Sequence, residues 1–511
     1  MRAFLALALL AGVLSSSAAA VSISWTGYGN DNQWTTSVNW YPAQVPGMND
    51  DVTIDSGSVI VTIATGVQSL GMGNSFTAPA NLTIFNTFFV GSGGMTVQGN
   101  GNLFIAGGNS QVSGSGPIQV AGAVYFQAGT IGGSWTINSR AVLDAGNANE
   151  KALVGAGVNM GGSMKLGGVL VLNQSSVLTV TGTVTASTDV FIQAQDTTTV
   201  LFDASQGTFN YCCGDLSVQA PVKLGTFGFT SGNITLYNTI KFHSVINVPS
   251  GSYVTSLGNA DVTFAAGVTG AGIVSASSHT TTFNGVNMTG TLNAVAGGVI
   301  FGGQSGNSVG TLSFGGAQVQ TSSAVSASQL NLISGMVGGA GAVTATNVLL
   351  NSQGFDLGNQ LTVTGTMTAM KSNLVWQTEG NLEIAAGATL KVMAALSLTG
   401  PAYLNGGVNN KGTIDAQASL TSQNINIAGT GKLQVATTAS VNNAKLTQGE
   451  IALSRGGVAN GGNTIVNVAK VTAPAEVKAT LGPYKLTCKL ECDNINTAGQ
   501  APAETFSFIG A

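Results

Sequence analysis

Leucines return along this chain at a nearly fixed interval. Leu292, Leu312 and Leu332 stand 20 residues apart, and Leu361, Leu382 and Leu404 follow at intervals of 21 and 22. Near the front, Leu82 and Leu103 are again 21 apart. Several share one local frame, a small residue, then x-Leu-x-apolar, as in Ala80-Asn-Leu82-Thr-Ile84, Gly310-Thr-Leu312-Ser-Phe314 and Gly380-Asn-Leu382-Glu-Ile384. The short runs alternate apolar with polar and are separated by Gly and Asn turns. A loose period near 20 built of such strands is the mark of a β-solenoid. The period predicts an all-β chain in which each coil of roughly 21 residues adds one short layer. Leu292, Leu312 and Leu332 are expected in one inward stack. At about 1.5–3 kcal/mol for each fully buried aliphatic side chain, a few per coil hold such a fold without disulfides.

Composition agrees and narrows the function classes. Charged residues make up 7% of the chain, against roughly 25% in ordinary soluble domains. Apolar residues reach 44%, which argues against disorder, since disordered chains pair low hydrophobicity with high net charge. The net charge is −4, and with no basic patch nucleic acid is not an expected partner. Between Phe242 and Met370 there is no Lys or Arg, and Asp261 and Asp356 are the only carboxylates.

Met1-Arg2 followed by the apolar run Ala3 to Val13 and by Ala18-Ala19-Ala20 reads as a secretory signal peptide spanning residues 1–20. That run is too short to span a membrane, and no later apolar stretch is long enough, so no membrane insertion is expected. The expected location is extracellular or at a cell surface. Residues 21–55 are read as an N-terminal cap, 56–436 as rungs, and 437–511 as late irregular rungs with a small C-terminal β unit. The last part holds Pro474, Pro483 and most of the seven basic residues found between Lys432 and Lys489.

In the cap segment, Trp25, Trp34 and Trp40 are three of the protein's five tryptophans. An open solenoid end exposes core and unpaired strand edges, so concentrating the largest side chains there suits a plug. Val45-Pro46-Gly47 reads as a turn, after which Val52, Ile54, Val59, Val61 and Ile63 open the alternating strands. The order W-x-G, W, N-W, then V-P-G-x-x-D-x-V-x-I resembles the start of large secreted β-helix proteins, both autotransporter-passenger-like and adhesin-like. Gly406-Gly-Val-Asn-Asn-Lys-Gly-Thr-Ile414 is similar to their N-x-G-T-I rungs. The resemblance covers about 35 residues at the front and elsewhere only the style of the rungs. It implies a right-handed parallel β-helix, a single elongated rod exported to the cell surface. No C-terminal membrane barrel is expected, because its eight or more strands of about ten alternating residues are not legible.

Four cysteines form two local pairs, Cys212/Cys213 and Cys488/Cys492. Neither has zinc-ligand spacing with a nearby His, so disulfides within or between the pairs are expected in an oxidising compartment. Along a regular strand Cys488 and Cys492 lie about 13 Å apart, so bonding them requires a turn at Lys489 to Glu491. Asn81, Asn173, Asn233 and Asn287 head N-x-S/T sequons and are candidate glycan acceptors.

Parallel β-helices often carry polysaccharide lyases and hydrolases, and that reading is the main rival. Hydrolase-like sites need paired carboxylates, and lyase-like sites a carboxylate-bound calcium with an Arg or Lys base. His243 and His279 are the only histidines, and Arg140 and Arg455 the only arginines beyond Arg2. Asp189, Asp196, Asp203 and Asp215 are the nearest thing to an acidic group, and Asp196 and Asp215 differ by 19, close to one rung. They are read as surface charge, and Asp50, Asp51 and Asp55 as part of the cap. The octapeptides Leu178-TVTGTV-Thr185 and Leu361-TVTGTM-Thr368 raise a threonine face of the ice- or crystal-binding kind. Such a face needs Thr on neighbouring rungs, and these copies stand 183 residues apart. The expectation is a non-enzymatic surface or extracellular-matrix β-helix without catalytic residue, metal or cofactor. It is adhesive or structural, with a polysaccharide or a cell-surface or matrix protein as partner.

Overall fold

A computed structural model describes residues 20–195, 201–303, 306–352, 354–376, 381–385 and 388–398, and beyond these the strands from Ala402–Leu404 to Leu486–Glu491. The signal segment and Cys492 lie outside the described residues. Among the described residues, every regular element apart from one 3₁₀ turn, Ser37–Asn39, is a strand. The strands form parallel coils, a β-solenoid, and divide into two compact units, Met1–Thr230 and Ser231–Ala511.

Each coil carries three short strand positions separated by corners. One position of the first unit runs Val59, Leu82, Leu103, Val124, Leu143, Met164, Val184, Phe209 and Phe227, all buried and each paired in parallel with the next. The alternation that put these residues in phase also puts their polar neighbours outside. One column of the second unit is Val254, Val274, Leu292, Leu312, Leu330, Val348, Met367 and Leu390. Beside it, Phe242, Phe264, Phe283 and Phe301 stack with ring centroids 5.2, 5.0 and 5.7 Å apart.

The registers correct the expected leucine stack. Leu312 lies beside Leu330, and Leu332 beside Phe314. Leu404 lies beside Ile384, while Leu382 meets Ala402. The step is not constant, being 25 residues from Val184 to Phe209 and 18 from Phe209 to Phe227. Corner length varies while the strand core does not, so a fixed period slips by one inward position. Ile63 is 48% exposed at the first corner and does not continue the inward series of Val59 and Val61.

The tryptophan segment closes the first coil. Ser22–Trp25 pairs in parallel with Asp51–Ile54 and, on its other edge, antiparallel with Trp40–Tyr41. The second strand of that coil is covered by a bridge in which the Trp34 amide donates to the Ile60 carbonyl and the Ile60 amide to Asn32. The Gln68 amide of the third strand donates to the Asp50 carbonyl. Trp34 is wholly buried, edge-on to Trp40 at 4.8 Å and to Phe88 at 5.4 Å. Buried Asn39 organises the loop above it, accepting from the Gly29 amide and donating to Asp31. Asp31 also accepts from Thr36 and the Gln33 amide, and these hydrogen bonds, that of Thr36 foremost, hold its carboxyl below the usual range.

The first octapeptide turns a corner, a strand, Thr181-Gly182, then a strand, while the second lies within the strand Gln360–Trp376, whose pairing with the preceding coil shifts register there. A Cβ on Gly182 would collide with the carbonyl oxygen of Gly162, and one on Gly290 with that of Gly272. Glycine is needed there because the coils approach too closely for any side chain. Gly290→Val is therefore expected to lower stability by about 1–3 kcal/mol in urea unfolding. Gly338→Ala, where an added Cβ meets nothing within 4 Å, is the control expected to stay near wild type.

Candidate functional site

Charge on the described surface is arranged in separate pairs. Asp144 faces Lys165 at 3.5 Å, Asp203 faces Lys223 at 3.8 Å, and Asp261 meets His279 at 3.1 Å. Asp196 lies outside the described residues, and Asp215 is placed against Asp189. The Asp215 amide donates to the carboxylate of Asp189, 26 residues earlier, because the coil between them is long. Asp50 accepts from the Gly47 and Val21 amides, Asp51 from Ser69, and Asp55 from Asn74. Those three carboxylates thus fasten the cap and first coils. Among the described residues no three of His, Cys, Asp and Glu converge as a metal-holding group. No described helix is long and apolar enough to cross a membrane.

Cys212 and Cys213 are bonded to each other at an exposed corner, with Cys213 in the left-handed region at φ 66°. Beside them Tyr211 is fully buried, and burial first, then the charges of Asp215 and Asp189, push its phenol above the usual range. Cys488 lies within the strand Leu486–Glu491, so a strand occupies the place of the turn that a Cys488–Cys492 bond would need. Among the sequons, Asn233 and Asn287 are exposed on strands. Asn81 is half-buried and bonded to Asn102 and Ser58, and Asn173 is bonded to Gln195.

Lys151 escaped sequence reasoning. It occupies an inward position in the column of Leu170, Ile192 and Val218 and is fully buried. Its ammonium donates to the carbonyls of Asn147, Asn149 and Gly167 at 2.8, 2.6 and 2.9 Å. Burial pushes its pKa down to about 8 against the opposing pull of Asp144. The signal was available in Lys151-Ala-Leu153, where the lysine shares the parity of a core leucine.

Two outward surfaces carry hydrogen-bonding capacity in regular array. In the second unit one strand position presents Asn247, Thr269, Asn287, Ser308, Ser326, Thr344 and Thr362 on seven successive coils, and Glu383 follows. Part of this ladder is spent internally, Ser326 donating to the Asn307 carbonyl and Thr362 to Glu383. In the first unit a groove of about 270 Å³ is lined by Thr136, Asn159 and Thr179, aligned on three adjacent strands, and by the corner residues Asn138, Ser139 and Thr181. The line extends to Gln119 and Thr96 on one side and to Asp203 on the other.

No family model matches the chain, and none of the curated proteins does.

Proposed function

We propose that this protein is a secreted, non-enzymatic surface or extracellular-matrix β-helix that works by adhesion or as a structural element and contacts carbohydrate. The ladder from Asn247 to Thr362 carries the reading. Seven neutral hydrogen-bonding side chains repeat at the strand spacing of about 4.8 Å, which suits contact with a regular, hydroxyl-rich surface. That Asp144, Asp203 and Asp261 each face one cation, while Asp50, Asp51 and Asp55 take donors of the cap and first coils, supports binding over sugar cleavage. The signal-like first 20 residues and the resemblance of the tryptophan segment to autotransporter-passenger-like and adhesin-like proteins support export to a surface.

The test is secreted residues 21–511 applied to a panel of insoluble and soluble polysaccharides, with retention and released reducing or unsaturated ends both recorded. Retention without product is expected. Product that disappears in Asp203→Asn would replace this reading with that of a carbohydrate-active enzyme.

A further inference from the structure

Resting on that reading, we infer that the groove of the first unit is a binding site for one extended chain of neutral polysaccharide, laid across the strands along the line Thr136–Asn159–Thr179. Three observations carry it. The three side chains are in register on adjacent strands, so their polar ends repeat at about the strand spacing.

Among the described residues, none of Thr136, Asn138, Ser139, Asn159 and Thr179 makes a side-chain hydrogen bond. This sets the groove apart from outward positions such as Asn102, which bonds Asn81, and Asn331, which bonds Ser313. Here the hydroxyl and amide groups are left for a ligand. A ligand that satisfies paired donors and acceptors on each group is itself rich in hydroxyls.

The groove is also open along its length. Gln119 and Thr96 continue the neutral line beyond the lined volume. Its other end meets Asp203, whose partner on the next strand is Lys223. A chain with many equivalent sugars fits such a track better than a single small molecule, and the lysine at that end is already paired with Asp203. The corner residues Asn138, Ser139 and Thr181 form one wall, which fixes the side on which the polymer lies.

Affinity electrophoresis tests this with the secreted chain in native gels holding a soluble β-glucan, a soluble mannan or polygalacturonate. Wild type is expected to be retarded by at least one neutral polymer and less by polygalacturonate. The triple variant Thr136→Val, Asn159→Leu, Thr179→Val removes the polar groups while keeping strand-forming shapes, and is expected to weaken retardation at least tenfold. Asn159→Asp, which keeps the size and adds a charge, guards against misfolding of the triple variant and is expected to weaken binding in the same direction. Gly338→Ala, outside both the groove and the second-unit ladder, should leave this retardation unchanged.

Wild-type affinity retained by both groove variants would overturn the inference while leaving the surface reading in place. Stronger retardation by polygalacturonate, or none by any neutral polymer, would overturn it too. Retention of the chain on insoluble matrix would then still judge the broader reading separately.

Discussion

Trp34→Ala is expected to unlatch the first coils and leave the rest of the solenoid folded. Trp34 is wholly buried beneath the cap and contacts both Trp40 and Phe88. Emptying such a site costs about 3–5 kcal/mol. In a solenoid each coil touches only its neighbours, so the loss stays local. Amide exchange should therefore quicken roughly a hundredfold or more in Asp51–Ile54 and Gly57–Val61. The strand Ile273–Phe283 of the second unit should keep its protection. Trp34→Phe is the informative companion. The indole N–H of Trp34 is buried without a hydrogen-bond partner, so phenylalanine loses volume but also removes an unmet donor, and the cost should fall well below that of alanine. Equal loss of protection in both units would mean the cap stabilises the chain globally, and no loss at all would mean it is not a plug.

The cap was legible because its function is local. Three tryptophans within 16 residues have no use in a rung, and V-P-G-x-x-D spells out a turn in which the Asp50 carboxylate takes the Gly47 amide. The period was legible for a related reason, since apolar alternation and corner glycines recur whatever the exact coil length. Register was not legible. In Gln329-Leu330-Asn331-Leu332 both leucines point inward, and which one stacks on Leu312 is fixed by pairing that begins at Asn307 and Val325. The groove was hidden by the same uncertainty. Thr136, Asn159 and Thr179 each stand between two apolar residues, as dozens of polar residues do here, and only the register brings those three side by side. Likewise Asp189 meets Asp215 across a step no fixed period would supply.

Lys151 offers the second large effect, and one with a pH signature. Replacing it by methionine keeps the inward stem packed beside Leu170 but leaves the carbonyls of Asn147, Asn149 and Gly167 without their donor. Buried acceptors left without partners cost about 1–3 kcal/mol each. Allowing for relief of the buried charge, Lys151→Met is expected to lose about 3 kcal/mol at pH 7. An unfolded lysine titrates near 10.4, whereas the folded Lys151 is depressed to about 8. Between those values the unfolded chain holds the proton more tightly, so this group's contribution to stability rises with pH across that window. The wild-type advantage over Lys151→Met should accordingly widen by about 2 kcal/mol between pH 7 and pH 10 in paired urea titrations. Comparing the two proteins cancels the titration of every other group. Parallel curves would mean that the three carbonyls hold the ammonium strongly enough to offset its burial. A loss below about 0.5 kcal/mol, the scale of an ordinary surface substitution, would mean that the loop at residues 146–149 is held by other contacts.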